Sequence, residues 1–171
     1  MRKIEFALES FKNIQDLIKF TDQKSGGVLV IAGLELTIFL SCIDKLDFKH
    51  SYLSPIAIAV IILGIITVFL FTYTLYLSIF KILRPRLANH YSGQDISLFY
   101  FNHLASMTDK TGMFNQFNSV TDDLILRNLT DQIFEVSKIL NTKINELHKS
   151  MNFLFYSVIS LLTFILVSRF L

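Results

Sequence analysis

Two hydrophobic patterns alternate along the chain: uninterrupted apolar runs, and stretches in which apolar residues return every three or four positions. The longest run, Ile56 to Phe80, holds no charged residue, and its roughly 25 positions exceed the ~30 Å hydrocarbon core at 1.5 Å per residue. A second run, Met151 to Ser168, is also uncharged; its roughly 18 positions lie near the lower limit for a crossing helix. A third, Ser25 to Ile43, carries Glu35 near its middle. Ten Val, Leu, Ile or Phe residues there, each favouring insertion by about 0.3–0.6 kcal/mol, outweigh one central acid at about 3 kcal/mol. Three spans are predicted, at 25–43, 56–80 and 151–168.

The spaced pattern lies next to the runs. Ile4, Leu8, Phe11, Ile14, Ile18 and Thr21 form one stripe ahead of the first span, which predicts an amphipathic helix entering the membrane. The pair Gly26-Gly27 either lets that helix continue or kinks it. Leu126, Leu129, Ile133, Val136, Leu140, Ile144, Leu147 and Met151 repeat the spacing, after Thr121-Asp122-Asp123 as an N-cap with early acids. No glycine or proline follows, so one helix is expected to run from here through the last span. The two stripes are each other's obvious partners and would form a stalk. Pro85 ends the second span, and Ile96, Phe99, Tyr100, His103, Leu104 and Met107, bracketed by Gly93 and Gly112, predict a shorter amphipathic helix. The expected fold is all-α: a single integral membrane domain over 1–171, three transmembrane helices, the first and last extended into a cytoplasmic helical stalk, and a short cytoplasmic helix.

Composition agrees. Of 171 residues, 52% are hydrophobic and 18% charged, and the mean hydropathy is +0.50, more apolar material than a small water-soluble domain hides in one core. The formal net charge of +2 and the scattered basic residues argue against binding a nucleic-acid polymer. Their distribution sets the topology. Thirteen of the 16 lysines and arginines fall in residues 1–24 and 81–150, and only Lys45, Lys49 and Arg169 fall opposite. The positive-inside rule then expects a cytoplasmic N-terminus and long loop and an external C-terminus. The charged segment before the first run has no signal-peptide character, so the N-terminus is expected to be retained.

No nucleophile motif, phosphate-binding glycine loop, paired carboxylates or metal-ligand spacing stands out, so an enzyme is not expected and neither metal nor cofactor is assigned. One cysteine, Cys42, excludes an intrachain disulfide framework; it reads as a small lipid- or helix-facing residue. Glu35 is the sharpest local signal. It is either a neutral acid hydrogen-bonded between helices or a pore-facing or self-association residue, where a ring of acids from several subunits would favour cations. Asp22 and Lys24 at the membrane boundary, with Arg84 and Arg86, read first as anchors of helices at the interface; the alternative is that Lys24, Arg84 and Arg86 line a cationic rim for a phosphate-bearing ligand. Lys138 and Lys143, five apart on the long helix, do not align on one face and read first as solvated.

Several segments carry a family resemblance: Phe20-Thr21-Asp22-Gln23-Lys24-Ser25, Leu83-Arg84-Pro85-Arg86-Leu87, Ser97-Leu98-Phe99-Tyr100-Phe101, and Asp131-Gln132-Ile133-Phe134-Glu135-Val136-Ser137-Lys138-Ile139-Leu140 followed by Lys143. In this order, over essentially the whole chain, they resemble the transmembrane domain of Pycsar effectors, bacterial antiphage membrane proteins. The resemblance implies an effector triggered by a nucleotide second messenger, or by loss of one, that disrupts the inner membrane and arrests the infected cell. It also implies membrane lipid, a cyclic nucleotide and further copies of the chain as partners. Asp22, Lys24, Arg84, Arg86, Lys138 and Lys143 are the candidate ligand-binding residues, and Glu35 the candidate pore or self-association residue. Some such proteins carry a separate cyclic-nucleotide-binding domain, and no segment here reads as one. The alternative from another class is a membrane scaffold whose stalk recruits a cytoplasmic partner.

Overall fold

A computed structural model describes residues 2–46, 54–85 and 108–170. The chain is helical throughout these segments: α1 (Arg2–Ile43), α2 (Pro55–Tyr76) continued by a π-helical stretch (Leu77–Leu83), α3 (Lys110–Asn118) and α4 (Asp122–Ser168). α1, α2 with its π-helical end, and α4 are each long and apolar enough to cross a membrane, so the protein is a multi-pass membrane protein. α1 continues through Gly26 and Gly27 without a break. α4 likewise runs unbroken from its acidic first turn into the last apolar run.

The local causes are visible at the helix ends. Ser54 caps α2, its hydroxyl accepting from Ala57 N–H at 3.1 Å, with Pro55 in the first turn where its missing N–H costs nothing. At the other end Arg84 has left helical geometry (φ −60°, ψ 127°), because a residue before proline is pushed into extended backbone. Thr121 caps α4 as its sequence predicts, accepting from Leu124 N–H at 3.4 Å. The helix α3 has no counterpart in the hydrophobic pattern. Asp109 nucleates it, its carboxylate accepting from Thr111 N–H at 2.9 Å and Gly112 N–H at 2.8 Å. The predicted amphipathic helix over 96–107 lies outside the described residues.

The chain forms two compact units, one of Met1–Phe20 with Pro85–Thr142, the other of Thr21–Arg84 with Lys143–Leu171. The first buries Ala7 on α1 and Leu129, Gln132, Glu135 and Leu140 on α4. The second, which contains the three apolar runs, is a bundle in which each helix buries a strict three-then-four series. On α1 it is Thr21, Ser25, Val28, Ala32, Glu35, Phe39 and the half-buried Cys42; on α4 it is Lys143, Leu147, Ser150, Leu154, Ser157, Leu161 and Phe164. On α2 and its π-helical end, Ala57, Val60, Gly64, Thr67, Phe71, Thr74 and Ser78 follow the same rule, with Gly64 and Phe71 half-buried. A 3.5-residue repeat of this kind is the seam of a left-handed coiled coil. The wider turn of the π-helical stretch keeps Ser78 and Ile82, four apart, both buried.

Two positions depart from the predicted stripes. On α1, Ala7 is buried and Leu8 is 36% exposed. On α4, the seam passes through Lys143 and Ser150; Ile144 is half-buried and Met151 is 46% exposed. On α4, where the seam enters the last apolar run, the reason is the solvent. In lipid, apolar side chains gain nothing by turning inward, and small or polar residues occupy helix interfaces instead. Apolar spacing therefore stops marking the core near the membrane.

At one end of the bundle Phe39, Val60, Leu161 and Phe164 form a cluster with Cys42 packed against it, the Phe39 and Phe164 rings lying 5.1 Å apart. Gly64 sits beneath both rings: a β-carbon there would lie 3.5 Å from Phe164 and 3.8 Å from Phe39. Toward the other end Val28, Ala32, Ile82, Leu147 and Leu154 make a second cluster, flanked by Phe71 and Leu75.

Candidate functional site

Between these apolar clusters the helices are joined by polar contacts, and every one described involves α4. Lys143 Nζ donates to Asp22 Oδ1 of α1 at 2.5 Å. The Ser150 hydroxyl lies 2.8 Å from that of Ser78 and 3.5 Å from the Thr74 carbonyl, both on the second helix. The Ser157 hydroxyl lies 2.7 Å from Glu35 Oε2 of α1 and 2.9 Å from the Leu154 carbonyl of its own helix. The Ser160 and Thr67 hydroxyls meet at 2.8 Å. Because Thr67 already donates to the Leu63 carbonyl, Ser160 supplies the proton between them. From residue 143 to 160, α4 is thus tied alternately to α1 and to the second helix. Three of the four α4 residues, Lys143, Ser150 and Ser157, are seven apart, so the heptad itself brings them to one seam.

Burial sharpens these contacts. The side chain of Lys143 is only 6% exposed against 34% for Asp22, so the lysine is the partner that has left water. An ammonium carries three donors, and Asp22 is its one hydrogen-bond partner among the described residues. Ser25, one turn along α1 from Asp22, is fully buried with its hydroxyl unpartnered among the described residues. The same is true of Glu35 Oε1. Glu35 therefore sits inside one chain's bundle, at the α1–α4 interface. This is the arrangement of an acid hydrogen-bonded between helices.

The predicted candidates fare differently. Asp22 and Lys143 come together, and Lys143 is buried where a solvated position was the first expectation; the heptad that points α4 inward at Leu140 and Leu147 carries it there too. Lys138 keeps the exposed side, its ammonium 4.1 Å from the centre of the Phe134 ring, a cation–π contact. Lys24 and Arg84 are exposed, and Arg86 lies outside the described residues. Sequence reasoning missed Thr67, Ser78, Ser150, Ser157 and Ser160. The seven-residue step from Lys143 through Ser150 to Ser157 was the signal that would have found part of this set.

Just outside the last apolar run, Lys149 pairs with Glu146 at 2.9 Å. That hydrogen bond, helped by the charge of the same carboxylate, raises the lysine above its ordinary value. In the other unit a groove of about 510 Å³ runs between α1 and α4, lined by Arg2, Lys3, Phe6, Ser10, Thr130 and Ile133 among others. Among the described residues no group of His, Cys, Asp and Glu is placed to hold a metal ion.

Comparison with known proteins fixes the family. The profile of the Pycsar effector protein domain matches residues 6–169, nearly the whole chain. The chain belongs to the Pycsar effector family. The Pycsar effector protein TpPycTM of Treponema porcinum is 34% identical over 80 residues, 47% of this chain and 70% of that protein. No solved structure matches. As a Pycsar effector the protein is an antiphage defence effector with transmembrane helices, and its family is one of membrane effectors.

Proposed function

We propose that the protein disrupts the bacterial inner membrane when a nucleotide second messenger appears or is withdrawn, arresting the infected cell. In this reading residues 1–24 and 81–150 lie in the cytoplasm and the C-terminus lies outside, which the lysine and arginine distribution supports. The amphipathic stretches of α1 and α4 are the stalk through which the signal arrives. The observation that carries the reading is the polar seam. A bundle held by apolar and small contacts alone would offer a messenger nothing to exchange. This one adds to its apolar clusters polar contacts between helices, two of them involving ionisable residues, with buried groups beside them unpartnered among the described residues.

A messenger shifts the bundle between two arrangements only by its differential affinity, about 5.5 kcal/mol for a change from 1:99 to 99:1. Phosphate contacts with Lys24, Arg84, Arg86, Lys138 or Lys143 would supply it, with Asp22 as the group displaced. Three helices from one chain do not enclose a wide channel, so permeability would require several copies; Glu35, buried at the α1–α4 interface at rest, would favour cations only once untying the helices turns it toward the pore. The test is phage challenge of cells carrying the chain beside a nucleotide cyclase. Protection accompanied by entry of a membrane-impermeant dye is expected; protection with an intact dye barrier would shift the reading to a scaffold that recruits a partner.

A further inference from the structure

The buried end of Lys143 carries more hydrogen-bonding capacity than its contacts among the described residues use. Its ammonium has three protons, Asp22 takes one, and the carboxylate that takes it is the more exposed partner of the pair. One turn farther along α1, on the same buried seam, the Ser25 hydroxyl is fully buried without a described partner; side chains three apart on a helix lie about 5–6 Å from each other. A cation with spare donors, a nearby unpartnered hydroxyl, and a carboxylate with one face toward water are the parts of an anion site whose occupant belongs to the chain.

We infer that Lys143 and Ser25 form a site for a phosphate group, and that Asp22 is its built-in competitor. The Asp22 carboxylate occupies the position an incoming phosphate oxygen would take. While it is there, α1 and α4 are tied together; an anion that reaches Lys143 from the side Asp22 leaves open displaces it and unties them. Phosphate is favoured over a carboxylate ligand because it offers oxygens enough for the lysine's remaining donors and for Ser25 at once. As a trigger this rests on the reading of the chain as a gated membrane effector; as a binding site it does not.

The test uses the full chain in lipid nanodiscs and radiolabelled inorganic phosphate in equilibrium dialysis. The Asp22→Asn variant, which removes the competing charge and keeps the shape, is expected to bind phosphate at least tenfold more tightly than the parent. Lys143→Gln is expected to abolish binding and Ser25→Ala to weaken it, with helicity by circular dichroism unchanged in all three. Nanodiscs with and without phosphatidic acid separate the two sources: suppression of phosphate binding by that lipid assigns the site to a headgroup, and no suppression assigns it to a soluble phosphate. Equal binding by the parent, Asp22→Asn and Lys143→Gln overturns the inference. Tighter binding in Asp22→Asn, in cells whose membrane stays intact under every nucleotide producer, keeps the site and removes the effector reading.

Discussion

The pairing of Lys143 with Asp22 predicts an asymmetry between removing the acid and removing the base. Asp22→Ala leaves an ammonium whose side chain is 6% exposed with no described acceptor. Breaking a buried pair this way costs about 3–5 kcal/mol; because Asp22 itself is a third exposed, about 3 kcal/mol is the better figure. Lys143→Met removes the buried charge, fills much of the same volume, and leaves a carboxylate that reaches water through its 34% exposed side chain. Such a replacement costs about 0–1 kcal/mol. The difference, about 2 kcal/mol, is roughly a 30-fold change in the unfolding equilibrium. Thermal or denaturant unfolding of the chain in nanodiscs, followed by helical circular dichroism, measures it. In the double variant Asp22→Ala/Lys143→Met, stability should return to near that of Lys143→Met alone. Equal losses for the two single variants, or a larger loss for Lys143→Met, would refute the claim that the lysine is the desolvated partner.

Other positions give independent checks. Ser157→Ala removes the one described hydrogen bond to Glu35 and should cost about 1–3 kcal/mol; Ser157→Thr, which keeps the hydroxyl, should lose less in the same unfolding assay. A double-mutant cycle on Ser78 and Ser150 should give a coupling of about 0.6 kcal/mol, the usual size for a hydrogen bond between transmembrane helices. Gly64→Ala should be tolerated, since its new methyl would make ordinary contacts with Phe164 and Phe39, whereas Gly64→Leu should cost about 1–3 kcal/mol by overpacking those rings. Phe164→Ala, by emptying the same cluster, should cost about 3–5 kcal/mol.

The helices and spans could be read from sequence because each depends on short-range pattern: the uncharged run of Ile56 to Phe80, the cap at Thr121, the proline after Arg84. Asp109 was readable in the same way but was passed over, because the stretch it caps, Lys110–Asn118, has no buried face to produce a stripe. The interior of the bundle was harder to read. Along the start of α1 apolar spacing marks the inner side at Ile4, Phe11, Ile14 and Ile18, all half-buried, and fails at Leu8, beside the buried Ala7. Past Thr21 the helix keeps the same three-and-four rhythm through Ser25, Val28, Ala32 and Glu35, but half of those residues are not apolar. On α4 the eye follows Ile144 and Met151, and the seam follows Lys143 and Ser150. Glu35 and Asp22 were noticed as single residues because charge near a membrane is conspicuous. Their partners were not, because serine is inconspicuous until a neighbouring helix supplies the other half of the contact.

A gated membrane-disrupting activity would show first in the membrane potential. We would record it in bacteria expressing the chain alone, with a cyclic-mononucleotide producer, and with an oligonucleotide producer, beside a Glu35→Leu variant. The account predicts a polarised membrane at rest, depolarisation with a nucleotide producer, and loss of that response in the variant. A potential that stays flat in every condition would contradict it.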